Sequence, residues 1–284
     1  MKQKEIVQIA NEKNVQKTTI DKDWVLGHFL NAMYSFPVVR KLFVFKGGTC
    51  LHKCYVSDYR FSEDLDFTLL NPDFSVDRAF INQIIKKAQE NSSAKFYLER
   101  IENQKYKDIP QGYKVEIKFW GADHSPNQRP LPSSRWQTNI HLDISFSEKL
   151  VLEPVEREMM HPYSDIDLIS NTIICYHINE IVAEKIRALK QRNRPRDIYD
   201  VWHLSKQING EILQEIKALL LEKSAQKGLE ISGTSDFVNE EKRHKNGKEW
   251  EKSLFHQLPV SKRPAFDSIY DELNLFILDL FKEH

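Results

Sequence analysis

Apolar and polar positions alternate at helical spacing near the start of the chain, predicting helices over Lys4–Asn11 and Asp21–Tyr34. A short apolar run, Leu42–Phe45, breaks at Gly47-Gly48, and Thr49–Val56 reads as helical again. From Glu63 to Leu70 acidic and apolar residues alternate with the period of two that marks a strand. A helix is predicted over Asp77–Glu90. Strands are predicted over Lys95–Glu102, Tyr113–Trp120 and Thr138–Phe146, where β-branched or aromatic residues alternate with polar ones. The segment Gly121–Arg135 carries Pro126, Pro130 and Pro132 among Ser and Asn and is expected to be a long loop between two strands.

After Ser170 the pattern changes to helical. Ile178, Ile181, Val182, Ile186 and Leu189 follow the 3.6-residue period, and further helices are predicted over Asp197–Gln207 and Glu211–Gln226. The small and polar stretch Lys223–Ser235 reads as a linker. From Pro264 onward Phe266, Ile269, Tyr270, Leu273, Ile277, Leu280 and Phe281 build one apolar stripe, the core face of a terminal helix. The order is helices, a mixed part holding most strands, then helices alone. This is an α+β pattern with a boundary near 165–175, giving units over 1–170 and 171–284.

Composition narrows the class. A chain of 284 residues makes one large or two ordinary domains. Its 40% hydrophobic and 11% aromatic content excludes a mainly disordered chain, and nine glycines exclude collagen-like repeats. No apolar run approaches the ~18 residues of a membrane span, and Met1–Lys13 mixes charges without a signal-peptide core, so a soluble cytoplasmic protein is expected. The three cysteines, Cys50, Cys54 and Cys175, are too few and odd in number for a disulfide scaffold. Cys50 and Cys54 share a helix face, but no further ligands follow at metal-site spacing, so a structural or incidental role is expected. Net charge is zero, with 41 basic against 41 acidic residues, yet Lys185, Arg187, Lys190, Arg192, Arg194 and Arg196 crowd one stretch that holds no acid before Asp197. Such a run is either a solvated helix end or a phosphate-binding surface.

Four segments carry candidate chemistry. In Phe43-Val44-Phe45-Lys46-Gly47-Gly48-Thr49 an apolar strand runs into two glycines and a hydroxyl residue before a helix, which suits a close backbone approach to an anion; the alternative is an ordinary strand-to-helix turn, and no Walker motif is present. In the strand that follows, Asp64 and Asp66 project from one face while Leu65 and Phe67 pack on the other. Two such carboxylates repel unless a cation lies between them, and hard Mg²⁺ takes oxygen donors together with substrate phosphates. In Asn139–Ser145 the same parity puts Asp143 on a polar face with His141 and Ser145, making it a candidate third carboxylate, with Glu116 and Glu148 as lesser rivals. Lys185 is a point charge able to grip a triphosphate, and Asp197 stands near a helix start after Pro195, where capping is the competing role. No G-x-S-x-G, Cys–His or H-E-x-x-H pattern occurs.

The run KGGTCLHKCYVSDYRFSEDLDF resembles the first motif of the AbiEii/AbiGii toxin family of nucleotidyltransferases, and EKIRALKQRNRPRDIYDVWHL resembles its downstream motif. Lys22-Asp23-Trp24-Val25 adds to the likeness, which spans roughly residues 20 to 205. The resemblance implies a polymerase β-like nucleotidyltransferase core with a mixed sheet over 1–170 and a helical domain over 171–284 that contributes Lys185 and Asp197 to the site. It implies transfer of a nucleoside monophosphate from an NTP with Mg²⁺ or Mn²⁺, and release of pyrophosphate. Asp64 and Asp66 would hold metal with Asp143 as third acid, and Lys185 and Asp197 would complete the catalytic set. Lys46, Gly47, Gly48, Thr49, Lys53, Arg60 and Ser62, with Lys185, would bind the nucleotide. An RNA acceptor, in some members the 3′ end of tRNA, and a cognate antitoxin are the implied partners. Cys50 departs from the common Ser after the glycine turn, leaving Thr49 as the hydroxyl there. A small-molecule nucleotidyltransferase shares this metal site, a non-catalytic nucleotide- or RNA-binding regulator could keep the fold, and a metal-dependent sugar-nucleotide transferase shares the Asp-x-Asp.

Overall fold

The computed structural model describes residues 2–124 and 128–282, so Pro126 of the proline-rich loop lies outside the described residues. The chain forms two compact units, Met1–Lys149 with Pro154–Tyr176, and Leu150–Glu153 with His177–His284.

The first unit opens with helices α1 (Lys2–Lys13), α2 (Lys17–Tyr34) and α3 (Pro37–Leu42). Strand β1 (Phe43–Lys46) leads into α4 (Gly47–Cys50), which continues as one π-type turn over Leu51–Tyr55. Then follow β2 (Asp64–Leu69), α5 (Arg78–Asn91), β3 (Lys95–Tyr106), β4 (Ile109–Trp120), β5 (Thr138–Ser145), β6 (Val155–Arg157) and β7 (Ile173–Cys175). The seven strands form one mixed sheet in the order β3-β4-β5-β2-β1-β7-β6, with β2–β5 and β1–β7 parallel and the other neighbours antiparallel.

Alternation sets what each face does. Leu65 and Phe67 of β2, Ile140, Leu142 and Ile144 of β5, and Val115, Ile117 and Phe119 of β4 are all buried. Helix α2 is buried along nearly its whole length from Ile20, as a core helix apolar on most sides must be. Helix α5 buries Ile81, Ile84, Ile85 and Ala88 and starts at Arg78 because the Asp77 carboxylate accepts from Phe80 N at 2.8 Å. Aromatic pairs join the layers, with Phe29 5.6 Å from Phe96 and Phe43 stacked 5.9 Å from Phe80.

Three differences from the sequence reading have physical causes. Strands β3 and β4 run well past Glu102 and start before Tyr113, because Lys107 and Asp108 both take positive φ (48° and 65°) in a tight hairpin turn whose neighbours Lys105, Tyr106 and Ile109 are exposed; with no buried face, alternation fades. The first compact unit extends to Tyr176, at the edge of the 165–175 stretch where the sequence pattern changes. Residues Ile173–Cys175 form a strand, too short for a period, that pairs with β1 through Phe45 and Cys175, and Tyr34 donates its hydroxyl to Ile174 O at 3.0 Å. Residues Leu150–Glu153 belong to the second unit, where the Glu180 carboxylate accepts from Val151 N at 3.1 Å and Leu152 N at 2.9 Å.

The second unit holds α6 (Ile178–Gln191), α7 (Pro195–Ser205), α8 (Gly210–Ala225), α9 (Glu240–Leu254) and α10 (Phe266–Phe281). The expected stripe of α10 buries Ile269, Tyr270, Leu273, Ile277 and Leu280. Lys223 is not in a linker: it is fully buried near the end of α8, with its ammonium 2.9 Å from both Glu180 and Glu184. Helix α9 escaped the sequence reading because its fifteen mostly charged residues bury only Asn246, Trp250 and Leu254. Among the described residues no helix is long and apolar enough to cross a membrane.

One buried acid makes the fold sensitive to pH. Asp21 of α2 accepts from Ala122 N at 2.6 Å and from Asp123 N at 3.2 Å, and a Cβ on Gly121 would fall 2.2 Å from its carboxylate. Burial pushes its pKa up to about 7 from an ordinary 3.8, against the pull of those backbone bonds. A raised acid is stabilising while protonated, so its contribution is full below pH 3.8 and lost as pH rises through 7. Asp21→Asn keeps the acceptor oxygen and removes the titration. The unfolding free energy from urea titrations between pH 4 and 8 should fall by on the order of 3 kcal/mol in the wild type and stay nearly flat in the variant.

Candidate active site

The site grows from the end of β1. Lys46 is extended, and Gly47 then takes φ +80°, a conformation that L side chains rarely adopt. Space demands glycine there too: a Cβ on Gly47 would fall 2.1 Å from Asp66 Oδ2, and one on Gly48 would lie 2.9 Å from Ser62 Oγ and 3.1 Å from the Arg60 guanidinium. The two glycines therefore let the start of α4 lie directly against β2. The first backbone N–H groups of that helical segment have no intrahelical partner and no side-chain cap, which suits phosphate oxygens.

Register builds the rest. In β2 and β5, which run parallel, Asp64 pairs with His141 and Asp66 with Asp143; on the other side of β2, Lys46 pairs with Asp66. Residues paired across strands share a face. Asp64, Asp66 and Asp143 thus lie on one polar face, with Leu65, Phe67, Leu142 and Ile144 buried on the other. Asp143, adjacent to Asp66, is exposed. Strand β4 extends the row, since Lys114 pairs with Asp143 and Glu116 with His141. Lys46, Asp66, Asp143 and Lys114 form one cross-sheet line, two acids flanked by two cations. Three aspartates on two adjacent strands offer oxygens, the donor type that a hard divalent cation takes. Glu116 stands one strand further out and bonds Asn139 at 2.9 Å and Arg100 at 3.2 Å. Glu148 lies beyond the end of β5.

Several of the other expected nucleotide ligands are engaged in bonds within the protein. The Thr49 hydroxyl is buried and donates to Asp64 O at 2.5 Å, tying the glycine turn to the first acid's backbone. Lys53 is 1% exposed and its ammonium donates to Asp23 Oδ2 at 2.7 Å. Tyr163 donates to the same oxygen at 2.7 Å, and His52 Nε2 lies 3.0 Å from Asp23 Oδ1. Burial alone would push the Asp23 carboxyl up, but Lys53 and His52 outweigh it and hold the acid well below its ordinary range. Arg60 is 3% exposed and donates to Phe61 O at 3.2 Å. Ser62 is half-buried against Gly48. Lys46 lies 5.2 Å from the Tyr176 ring centroid.

In the second unit Lys185 and Asp197 are each paired. Lys185 sits 2.7 Å from the buried Asp200, and Asp197 accepts two bonds of 2.8 Å from Arg192. An ammonium has three donors, so one partner leaves others to use. Lys190 pairs with Asp236 at 2.8 Å and Arg187 donates to Lys223 O at 2.9 Å. Four of the six cations of the basic run are thus engaged within the unit, while Arg192 and Arg194 remain exposed. Lys114 was missed because register, not spacing, brings it beside Asp143.

A family model described as nucleotidyl transferase AbiEii toxin, type IV toxin–antitoxin system, matches residues 28–272. The chain belongs to the AbiEii nucleotidyltransferase toxin family. No curated protein matches it in sequence. Among solved structures it is similar to MenT4, a nucleotidyltransferase toxin from Mycobacterium tuberculosis H37Rv, with TM-score 0.63 and 14% identity over 98% of this chain and 90% of that one. It is also similar to JHP933 from Helicobacter pylori, with TM-score 0.56 and 16% identity over 94% of this chain and 93% of that one. At these identities the likeness concerns the fold, and it agrees with the α+β architecture of one mixed sheet with ten helices among the described residues. As an AbiEii-family nucleotidyltransferase the chain is an enzyme that uses an NTP, and its toxin class implies an antitoxin partner.

Proposed function

We propose that this AbiEii-family enzyme transfers a nucleoside monophosphate from an NTP to the 3′ end of an RNA, with tRNA as acceptor, and that Asp64, Asp66 and Asp143 hold Mg²⁺ for that transfer. The observation that supports it is the register that places Asp66 beside Asp143 on one polar face, directly against Gly47. Bound there, divalent cations would neutralise phosphate charge and activate the attacking oxygen. The acceptor oxygen bonds to the α-phosphorus, the bond from that phosphorus to the β-phosphate bridge breaks, and pyrophosphate leaves. Lys46 and the N–H groups of Gly47 and Gly48 would receive phosphate oxygens, while Thr49, Lys53 and Arg60 hold the turn in place from inside. On the family resemblance Lys185 serves the triphosphate and Asp197 the reacting centre, and Asp200 and Arg192 orient them. A tRNA substrate places the action in the cytoplasm, where the antitoxin would restrain it.

Incubating wild type and Asp64→Ala with each of four labelled NTPs, purified RNA and Mg²⁺ tests the reading. Label in tRNA from wild type, absent with the variant and with chelator, is expected. Label confined to a small-molecule fraction would point to the antibiotic-modifying type of transferase, and equal labelling by both proteins would remove the aspartates from the chemistry.

A further inference from the structure

The chain has three cysteines, and all three meet. Cys50 ends α4, Cys54 stands in the π-type turn that follows, and Cys175 ends β7. All are free and buried, and their sulfurs lie within 4.8 Å of one another. A single buried thiol packs as a small hydrophobe. Bringing every cysteine of the chain to one point, from three separate elements, builds a three-sulfur cluster. The sequence reading stopped at Cys50 and Cys54 because the third ligand arrives through the parallel pairing of Phe45 with Cys175.

The surroundings decide which ion fits. Sulfur donors select soft ions, Cu(I) and Zn²⁺ among them. Zn²⁺ in closed sites takes four ligands. The two phenols nearby are committed to backbone carbonyls: Tyr34 donates to Phe43 O and Ile174 O, both at 3.0 Å, and Tyr55 to Tyr176 O at 2.5 Å. Among the described residues no fourth His, Cys, Asp or Glu joins the cluster, so three-coordinate binding by side chains is favoured. The Arg157 guanidinium lies 4.6 Å from the ring centroid of Tyr55, the residue next to Cys54.

We propose that Cys50, Cys54 and Cys175 form a trigonal three-sulfur site for a soft monovalent ion of the Cu(I) type. On binding, sulfur–hydrogen bonds give way to sulfur–metal bonds and the protons pass to the buffer; no electrons change hands. The ion would pin the end of β7 to the end of α4, the segment whose first residues are Gly47 and Gly48. The site is independent of the nucleotidyl-transfer reading.

The test titrates the reduced full-length protein anaerobically with Cu(I) held by a bathocuproine chelator. One retained equivalent is expected, with a near-ultraviolet sulfur-to-copper band, protection of Cys54 from iodoacetamide and a higher melting temperature. Cys175→Ser and Cys50→Ser, checked for wild-type circular dichroism, should each weaken retention by at least about a hundredfold. A folded wild type that keeps no Cu(I) overturns the proposal without recourse to any variant. So does equal retention by folded variants, or a preference for Zn²⁺ over Cu(I), which would deny the three-coordinate geometry.

Discussion

Asp66→Ala is expected to lower nucleotidyl transfer by about a thousandfold while leaving the thermal transition near that of wild type. Metal-held charge compensation in phosphoryl chemistry is worth several kcal/mol, and about 4 kcal/mol corresponds to about three orders of magnitude in rate. Asp66 occupies the middle of the proposed donor set, with Asp143 beside it on β5 and Lys46 beside it on β1. Its side chain is only half-buried, so truncation opens no core cavity. Removing one of several neighbouring like charges also relieves repulsion in the metal-free protein, so the stability change should be small and of either sign. Transfer measured at saturating NTP and Mg²⁺, together with a melt of each protein, separates the two effects. A variant within tenfold of wild type would show that the row of aspartates is a solvated sheet face and not the catalytic centre.

Much of this site was legible in the sequence because strand parity is a strict rule. Asp64 and Asp66 had to share a face once Leu65 and Phe67 were buried, and Asp143 had to oppose Leu142 and Ile144. What parity cannot supply is which strand lies next to which. The parallel β2–β5 pairing that brings Asp143 alongside Asp66 crosses a helix and a long hairpin, and only the fold reports it. The glycines illustrate the same boundary. Their dipeptide marked a turn, but the reason for two of them, contact with Asp66 on one side and with Ser62 and Arg60 on the other, lies in packing. Polar side chains are the least legible. Lys53 and Thr49 follow the glycine turn yet bond inward, and the basic run after Lys185 finds its acids on other helices or later loops. Composition registers a charge and leaves its partner unknown.

Lys53→Met should be the most damaging single change to stability, by about 3–5 kcal/mol, because it strands the buried Asp23 carboxylate. Both partners are nearly inaccessible, at 1% and 2% exposure, so water cannot replace the lost ammonium. His52 and Tyr163 stay in reach of Asp23 and limit the loss. The sign with pH follows from the depressed Asp23 acid: its contribution is present above the ordinary 3.8 and is lost as pH falls below that toward the folded value. The gap between wild type and Lys53→Met in urea midpoint should therefore be full at pH 7 and narrow on acidification, as the unpartnered acid takes up a proton. Adding Asp23→Asn to Lys53→Met removes the stranded charge and should recover much of the stability, a coupling that a double-mutant cycle measures directly. The same pair of variants separates two roles for Lys53. If transfer activity returns with stability, the lysine acts by anchoring the π-type turn behind Gly47–Cys50 to α2. If stability returns and activity does not, its ammonium reaches the nucleotide during turnover.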